Sequence, residues 1–574
     1  MRIILNIKNA LKKKSTYILL LILIFAFFLR FNGIDYGLPN LYWGDEATIV
    51  YRALKMGTGD LNPHWFVWPA TPQINFMFIV YGFLFSFGYV FGIYQSPTDF
   101  IYKFLEDPTV WYLIARFIIV LVGVATIYLV YVLGKKIYNK NIGLMAALFL
   151  SVSFIHAKLS HMIKPDIPVT LFILLSVYFC YRLYETGKLR HYLLSGLFAG
   201  VAISFLYSGI FLVISIFVAH LLYCMKNKKS VFELFKNMKS IFEVFLNKKL
   251  IFAYIYLILV FILLVPWAIF SFGEFMNDFV FITTSVVESN ALNAYLWHPE
   301  NGWVHIITLI FNDGLGIILS SVAFVGVLFA LYKRSSKEIL LLSFPVTMFV
   351  VFGFLSELSS RNIIPILPFL TIFAALLIYN ILKPLLNKKI LVMSLIFVSL
   401  LLIIVPAHSV IKFNHILTQK DTRTLSKEWI ESNIPFNSKI MCEGYPNLCP
   451  PLIRNKESSL NEGFPQMEVN LDNKGINAYT KLLNAREYPE NTYYVTLVWK
   501  NGKDPLVRLK EENIEYVAIS SLRYQSIFSD IALERDPELA LSAREFYNHL
   551  DNKNQLLRTF SPNNFDTYGP EIKV

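Results

Sequence analysis

The stretch Tyr17–Leu29, YILLLILIFAFFL, carries no charge over most of the thickness of a bilayer's hydrocarbon core. Comparable runs recur as far as His408, so the first is not a simple cleavable leader, and the pattern is that of a chain crossing a membrane many times. Composition agrees: of 574 residues 55% are hydrophobic, with 50 Phe and 32 Tyr, and only 16% are charged, against roughly 25% in a soluble domain. These values exclude a soluble enzyme. The net charge of +12, from 52 Lys and Arg against 40 Asp and Glu, would suggest a nucleic-acid partner in a soluble chain. Here the basic residues sit in short gaps between apolar runs, as cytoplasmic loops do, and no nucleic acid is expected.

The basic gaps Lys12–Lys14, Lys135–Lys140, Lys188–His191, Lys226–Lys249, Lys333–Lys337 and Lys383–Lys389 are assigned to the cytoplasm. An even number of crossings between successive gaps then fixes the outer loops as Asn32–Trp111, Ser160–Asp166, Tyr207–Ser208, Gly273–Asp313 and Ser356–Asn362. The segment Thr71–Tyr94 is long enough to span, but a crossing there would put Lys135–Lys140 outside; it is read as interfacial or re-entrant, its aromatic content suiting the headgroup zone. The expected spans are 16–31, 111–134, 142–160, 167–184, 192–206, 208–224, 251–272, 314–332, 339–356, 363–382 and 390–408, about eleven transmembrane helices with the N-terminus cytoplasmic. The chain is thus an α-helical polytopic protein of the plasma membrane, with a membrane domain 1–408 whose outer loop 32–110 carries interfacial helices.

After His408 the character changes. Residues 409–574 hold no run long enough to span; Ser426–Ser432 and Ser542–Leu550 read as helices, and Thr492–Trp499 and Tyr516–Ile519 have the β-branched and aromatic content of strands. A small extracytoplasmic α/β C-terminal domain follows. Cys442 and Cys449, close together in CEGYPNLC, are candidates to bridge in an oxidising exterior.

Ionisable side chains at a membrane boundary are costly and point to function. Asp45 and Glu46 lie in LYWGDEATIVYRALKMG, opening an amphipathic helix outside, and Asp166 lies in SHMIKPDIPVTLF at the outer start of a helix. Each acid has a bland reading as a helix N-cap. The topology places Asp45 and Asp166 on one face, where two carboxylates could take a hydroxyl proton or share a divalent metal ion. On the same face lie His64 in NPHWFVWPATP, His161 and Lys164 before Asp166, and Arg361 in SELSSRNIIPILP. Interfacial packing is the preferred reading of the histidines over catalysis; a guanidinium at this depth either snorkels or meets a phosphate. No P-loop, paired CxxC, HExxH or GxSxG competes with this constellation.

The order of these elements resembles a known family. The outer Asp-Glu pair, WPATPQINF, Ala115-Arg116 followed by VGVATIYLVYVLGKKIY, AALFLSVSFIHAKLSHMIKPD, GLFAGVAISFLYSG and RNIIPILPFL are together similar to the dolichyl-phosphate-mannose protein mannosyltransferases and the lipid A aminoarabinose transferases, C-type glycosyltransferases. The resemblance implies that fold and a polyprenyl-phosphate-sugar lipid donor. The acceptor would be a hydroxyl on a protein, lipid or glycan, and the active site would lie at the outer face among membrane lipids. It implies Asp45 as base with Glu46 its partner, Asp166 as the second acid, and Arg361 as the basic residue before the family's Pro-containing late helix; the donor phosphate is then expected on Arg361 and Lys164. The long LNPHWFVWP stretch lacks the double proline common in the family, and the tail after Asp421-Thr422-Arg423 is no recognisable sugar-binding module. A polytopic lipid or solute transporter or flippase, and a non-catalytic envelope assembly protein, are the alternatives from other classes.

Overall fold

The computed structural model describes residues 14–227, 244–287, 301–355, 358–444, 448–462, 484, 487–498, 504–528, 533, 537–563 and 567–574. Lys12 and Lys13, the middle of the basic run Lys226–Lys249, and parts of the expected outer loops Gly273–Asp313 and Ser356–Asn362 lie outside the described residues. The chain opens with α1 (Lys14–Phe31), followed by α2 (Asp45–Lys55), α3 (Thr71–Val90) and α4 (Pro97–Glu106). Then come α5 (Thr109–Ile137), α6 (Lys140–Ser151), α7 (Phe154–Ser160), α8 (Asp166–Thr186), α9 (Leu189–Phe205), α10 (Leu212–Asn227) and α11 (Lys248–Leu264). Further on are α12 (Phe272–Val287), α13 (Gly302–Leu309), α14 (Ile317–Lys333), α15 (Ser336–Phe352), α16 (Leu367–Leu382) and α17 (Lys388–Leu417). Each expected span contains a helix, although 208–224, 251–272 and 339–356 are α-helical only from Leu212, only to Leu264 with a short turn beyond, and only to Phe352. Among the described residues six helices, or seven with a bent pair counted as one, are long and apolar enough to cross a membrane, and α3, expected to be interfacial, is one of the six by length and composition.

Three of the differences from the sequence reading have a clear local reason. The expected helix 142–160 is broken, α6 and α7 meeting at 65°. Carbonyls freed at the break are taken up by Arg30, whose guanidinium donates to Leu150 O at 3.3 Å and Ser151 O at 2.9 Å. The expected helix 314–332 starts at Ile317, because Ile310–Gly314 forms a π turn and Gly316 adopts a positive φ of 76° that interrupts the helix. The last membrane helix runs on to Leu417, past His408; at 1.5 Å per residue it is about 45 Å long and outreaches a hydrocarbon core of about 30 Å.

The loops sort into two faces. At one, Lys136 pairs with Glu185 at 3.1 Å, Lys249 donates to Gly187 O, and Lys337 donates to Ile137 O, so the basic gaps touch one another. At the other, Asn62 donates to Ser271, Tyr207 to Phe66 O, and Ser360 to Asp313. Both ends of α3 meet this second face. Ala70 N donates to Phe205 O at the end of α9, while Tyr94, which follows Gly88, packs on Phe100 and on Trp111 at the start of α5. The buried side of α3 (Ile74, Met77, Tyr81) shares a core with Ile49 and Val50 of α2 and with Trp111 and Tyr112.

The tail has α18 (Thr422–Asn433), α19 (Pro505–Glu511) and α20 (Pro537–Lys553) around a sheet of β1 (Lys439–Cys442), β2 (Tyr494–Leu497), β3 (Tyr516–Ser520), β4 (Thr559–Phe560) and β5 (Ile572–Lys573), in the order β2-β1-β3-β5-β4. β1 runs parallel to β2 and β3, with Met441 opposite Thr496 and Val517, and β5 is antiparallel to β3 and β4. Ile440 and Val495 bury on one side of this sheet, and Met441, Phe546 and Tyr547 on the other. Cys442 and Cys449 form a disulfide.

Candidate functional site

Neither acid is a cap. The residue before α2 is Gly44 and that before α8 is Pro165; neither makes a side-chain cap bond, and Asp45 and Asp166 are each the first residue of their helix. The partial positive charge of a helix start favours a carboxylate at both places. The Asp45 side chain is 51% exposed and is met by two cations, Lys164 Nζ at 2.5 Å and Arg361 Nη1 at 3.6 Å from Oδ2. Lys164 beside it, then Arg361, hold the Asp45 carboxyl below the ordinary range against the opposing pull of desolvation. Asp166 is 6% exposed and within electrostatic reach of Arg361, Lys164 and Asp45. Four residues from three separated stretches of sequence thus converge. Arg361 is carried there by the 3₁₀ turn Ser360–Ile366, which Ser359 and Asn362 cap reciprocally before Pro365 and Pro368 lead into α16.

Glu46, next to Asp45, is in a different environment. It is fully buried, and Arg116 grips it with Nε to Oε1 at 2.9 Å and Nη2 to Oε2 at 2.6 Å. Its Oε1 also accepts from Ile163 N at 2.9 Å, and Arg116 Nη1 donates to Ile34 O and Tyr36 O at 2.7 and 2.8 Å. This sealed pair fixes the start of α2, on which Asp45 stands, and the loop that presents Lys164.

The two histidines do not join the cluster. His64 bonds Glu274 through Nδ1 at 2.9 Å and Asp60 through Nε2 at 3.0 Å. His161 is fully buried between the carbonyls of Ala157 and Asn32. Among the described residues no three His, Cys, Asp or Glu side chains group to hold a metal; Asp45 and Asp166 are two carboxylates beside two cations, a poor donor set for a divalent ion that needs six or more oxygens.

Sequence reasoning passed over three arginines. Arg30, Arg52 and Arg116 are all nearly or fully buried: Arg30 holds the helix break, Arg116 holds Glu46, and Arg52 lies over the Trp65 ring at 4.6 Å with Asp278 as an electrostatic partner. Arg30 and Arg116 were visible as single charges within or beside long apolar runs, the usual mark of a functional or structural ion pair.

Residues 111–270 match the family model of dolichyl-phosphate-mannose-protein mannosyltransferase. No curated protein matches the chain in sequence. Among solved structures, the apo oligosaccharyltransferase of Archaeoglobus fulgidus is similar at 12% identity over 92% of this chain and 72% of its own, with a TM-score of 0.49. The same organism's oligosaccharyltransferase AglB in complex with an inhibitory peptide and a dolichol-phosphate is similar at 13% identity, with the same coverage and a TM-score of 0.48. ArnT of Cupriavidus metallidurans bound to undecaprenyl phosphate is similar at 9% identity over 97% of each chain, with a TM-score of 0.47. The matched segment 111–270 includes the stretches from Ala115 to Gly209 that carry the resemblance in the sequence.

Proposed function

We propose that this membrane protein is an inverting glycosyltransferase. It moves a sugar from a polyprenyl-phosphate donor to an acceptor hydroxyl at the outer membrane face, with Asp45 as base. The observation that carries the reading is the half-exposed Asp45 carboxylate held between Lys164 and Arg361 with Asp166 beside them; the mannosyltransferase family match over 111–270 supports the reaction type. The face that gathers the site is the outer one, the N-terminus is cytoplasmic, and α3 lies in the outer layer, which both of its contacts support. The tail beyond α17, which ends at Leu417, is the extracytoplasmic domain.

The donor enters from the outer leaflet with its phosphate on Arg361 and Lys164, a charge-assisted contact. The acceptor oxygen attacks the anomeric carbon as Asp45 takes its proton, and the bond from that carbon to the phosphate oxygen breaks. Polyprenyl phosphate leaves as an anion beside the two cations, so no general acid is required. Asp166 orients the acceptor. Glu46 positions α2 and does not touch substrate. In the donor-free protein Lys164 and Arg361 are engaged by Asp45 itself, so an arriving phosphate competes for them and leaves Asp45 more basic when the acceptor must be deprotonated. The test is incubation of the purified protein in detergent with labelled polyprenyl-phosphate sugar: transfer or hydrolysis is expected, and its absence with a panel of such donors rejects the assignment.

A further inference from the structure

The chain enters the tail through Asp421-Thr422-Arg423, and the polar side chains there face the loop that leads to Asp45. Asp421 Oδ2 accepts from Tyr36 OH at 2.5 Å, while Arg423 clasps the same carboxylate with Nε to Oδ1 at 2.7 Å and Nη2 to Oδ2 at 2.8 Å. The Arg423 guanidinium lies 3.9 Å over the Tyr42 ring, and Tyr42 OH bonds Thr424 Oγ1 at 2.6 Å. Tyr36, Tyr42, Asp421 and Arg423 are all buried. The end of the tail closes over them: Thr422 N donates to Tyr568 O, Thr422 Oγ1 to Pro570 O, and the Tyr568 ring packs on Tyr36 at 5.3 Å. At Gly569, with φ of +115°, a Cβ would fall 2.3 Å from Thr422 Oγ1, so only glycine fits.

From this cluster two rungs reach the site. Arg116 donates to Tyr36 O and also grips Glu46, the neighbour of Asp45. The Trp43 ring lies against Tyr36 at 5.0 Å and under the Arg116 guanidinium at 4.8 Å. A tail tethered only through α17 needs none of these contacts, and taking Asp421 and Arg423 out of water is costly unless geometry and further hydrogen bonds offset it.

We infer that Tyr36, Tyr42, Asp421 and Arg423 form a latch through which the C-terminal domain positions the Asp45 helix, so that the domain is part of the transferase architecture. This rests on the glycosyl-transfer reading. These are positioning residues, and they act through Arg116 and Glu46. The test compares intact wild type, Tyr36→Phe, Asp421→Asn and the double variant by hydrogen exchange and by turnover of a polyprenyl-phosphate sugar. Amides of residues 34–46 are expected to exchange about tenfold faster in each single variant, the double variant being no worse than the stronger single, as for partners in one network. The β1–β3 amides stay protected, and kcat falls with donor KM unchanged. Unchanged exchange at 34–46, or additive effects, overturns the latch. Tyr36→Phe removes one hydroxyl only, so the test survives if Asp421→Asn does not fold. Should the wild-type protein turn over no such donor, the reaction reading falls, and exchange at 34–46 alone then decides for or against the latch.

Discussion

Asp45 and Glu46 are consecutive acids, each paired with cations, yet one sits at a half-exposed cluster and the other in a sealed pair. Glu46 has Arg116 in bidentate grip and a backbone N–H besides, with no water access. Asp45 meets Lys164 closely and Arg361 at the edge of ion-pair range, and keeps half of its surface open. The difference teaches that burial and saturation of hydrogen bonds, rather than the presence of a charge pair, separate a structural carboxylate from one free to react. Glu46 already accepts three of its roughly four hydrogen bonds from the protein and has no exposed surface through which a substrate could reach the rest.

The comparison breaks if the two acids respond alike to substitution. Asp45→Asn is expected to lower kcat for sugar transfer by about 10²–10⁴-fold, the range of a lost general base, with the thermal unfolding of the detergent-solubilised protein unchanged. Normal transfer by that folded variant removes Asp45 from the mechanism. Arg116→Met should do the opposite. It strands Glu46 in the interior and costs about 3–5 kcal/mol of stability, read as a lower unfolding midpoint; a variant as stable as the wild type shows the pair is not sealed.

The pH dependence sharpens the contrast further. In the free protein Lys164 first, and Arg361 second, keep Asp45 ionised below the ordinary carboxylate range. The acid limb of kcat/KM, which reports the free enzyme, should therefore lie at lower pH than that of kcat, after donor phosphate has drawn the cations away. Lys164→Met should move the kcat/KM limb upward; coincident limbs in the wild type contradict competition between phosphate and Asp45.

Glu443 in the tail shows what a buried acid does with less cationic support. Desolvation pushes it from 4.5 to about 7, despite hydrogen bonds from Tyr547 and Ser520 N and the more distant charge of Arg523. The folded state then holds a proton that the unfolded state releases, so stability should fall as pH rises from 4.5 to 7 and level off above. Glu443→Gln should remove that slope, the smallest of these effects, and an unaltered pH profile of unfolding contradicts it.

Much of this molecule is legible in one dimension. The uncharged runs announced the helices, and the Lys-rich gaps announced which loops share a face, because a charge in hydrocarbon is costly at any position. Two helices and two strands of the tail followed from residue type, but α19, β1, β4 and β5 did not: PLVRLKE and KIMC are short, and TF and IK are two-residue strands defined by their partners. The broken helix 142–160 was equally hidden, since its stability depends on Arg30, more than a hundred residues away. The N-cap reading of Asp45 and Asp166 failed because each acid is the first residue of its helix, after Gly44 and Pro165, and the Asp45 carboxylate is taken up by Lys164 and Arg361 from distant segments.

The sequence by itself determined that the chain is made for a membrane, because the cost of burying charge in hydrocarbon follows from residue type and order, and it singled out Asp45, Lys164, Asp166 and Arg361 as residues to look for together. Only the tertiary structure decided which acid faces solvent and which is locked by an arginine, and that the tail is bolted to the first loop. Adjacent residues on a helix start point about 100° apart, so Asp45 and Glu46 meet different neighbours, and those neighbours come from segments far away in the chain.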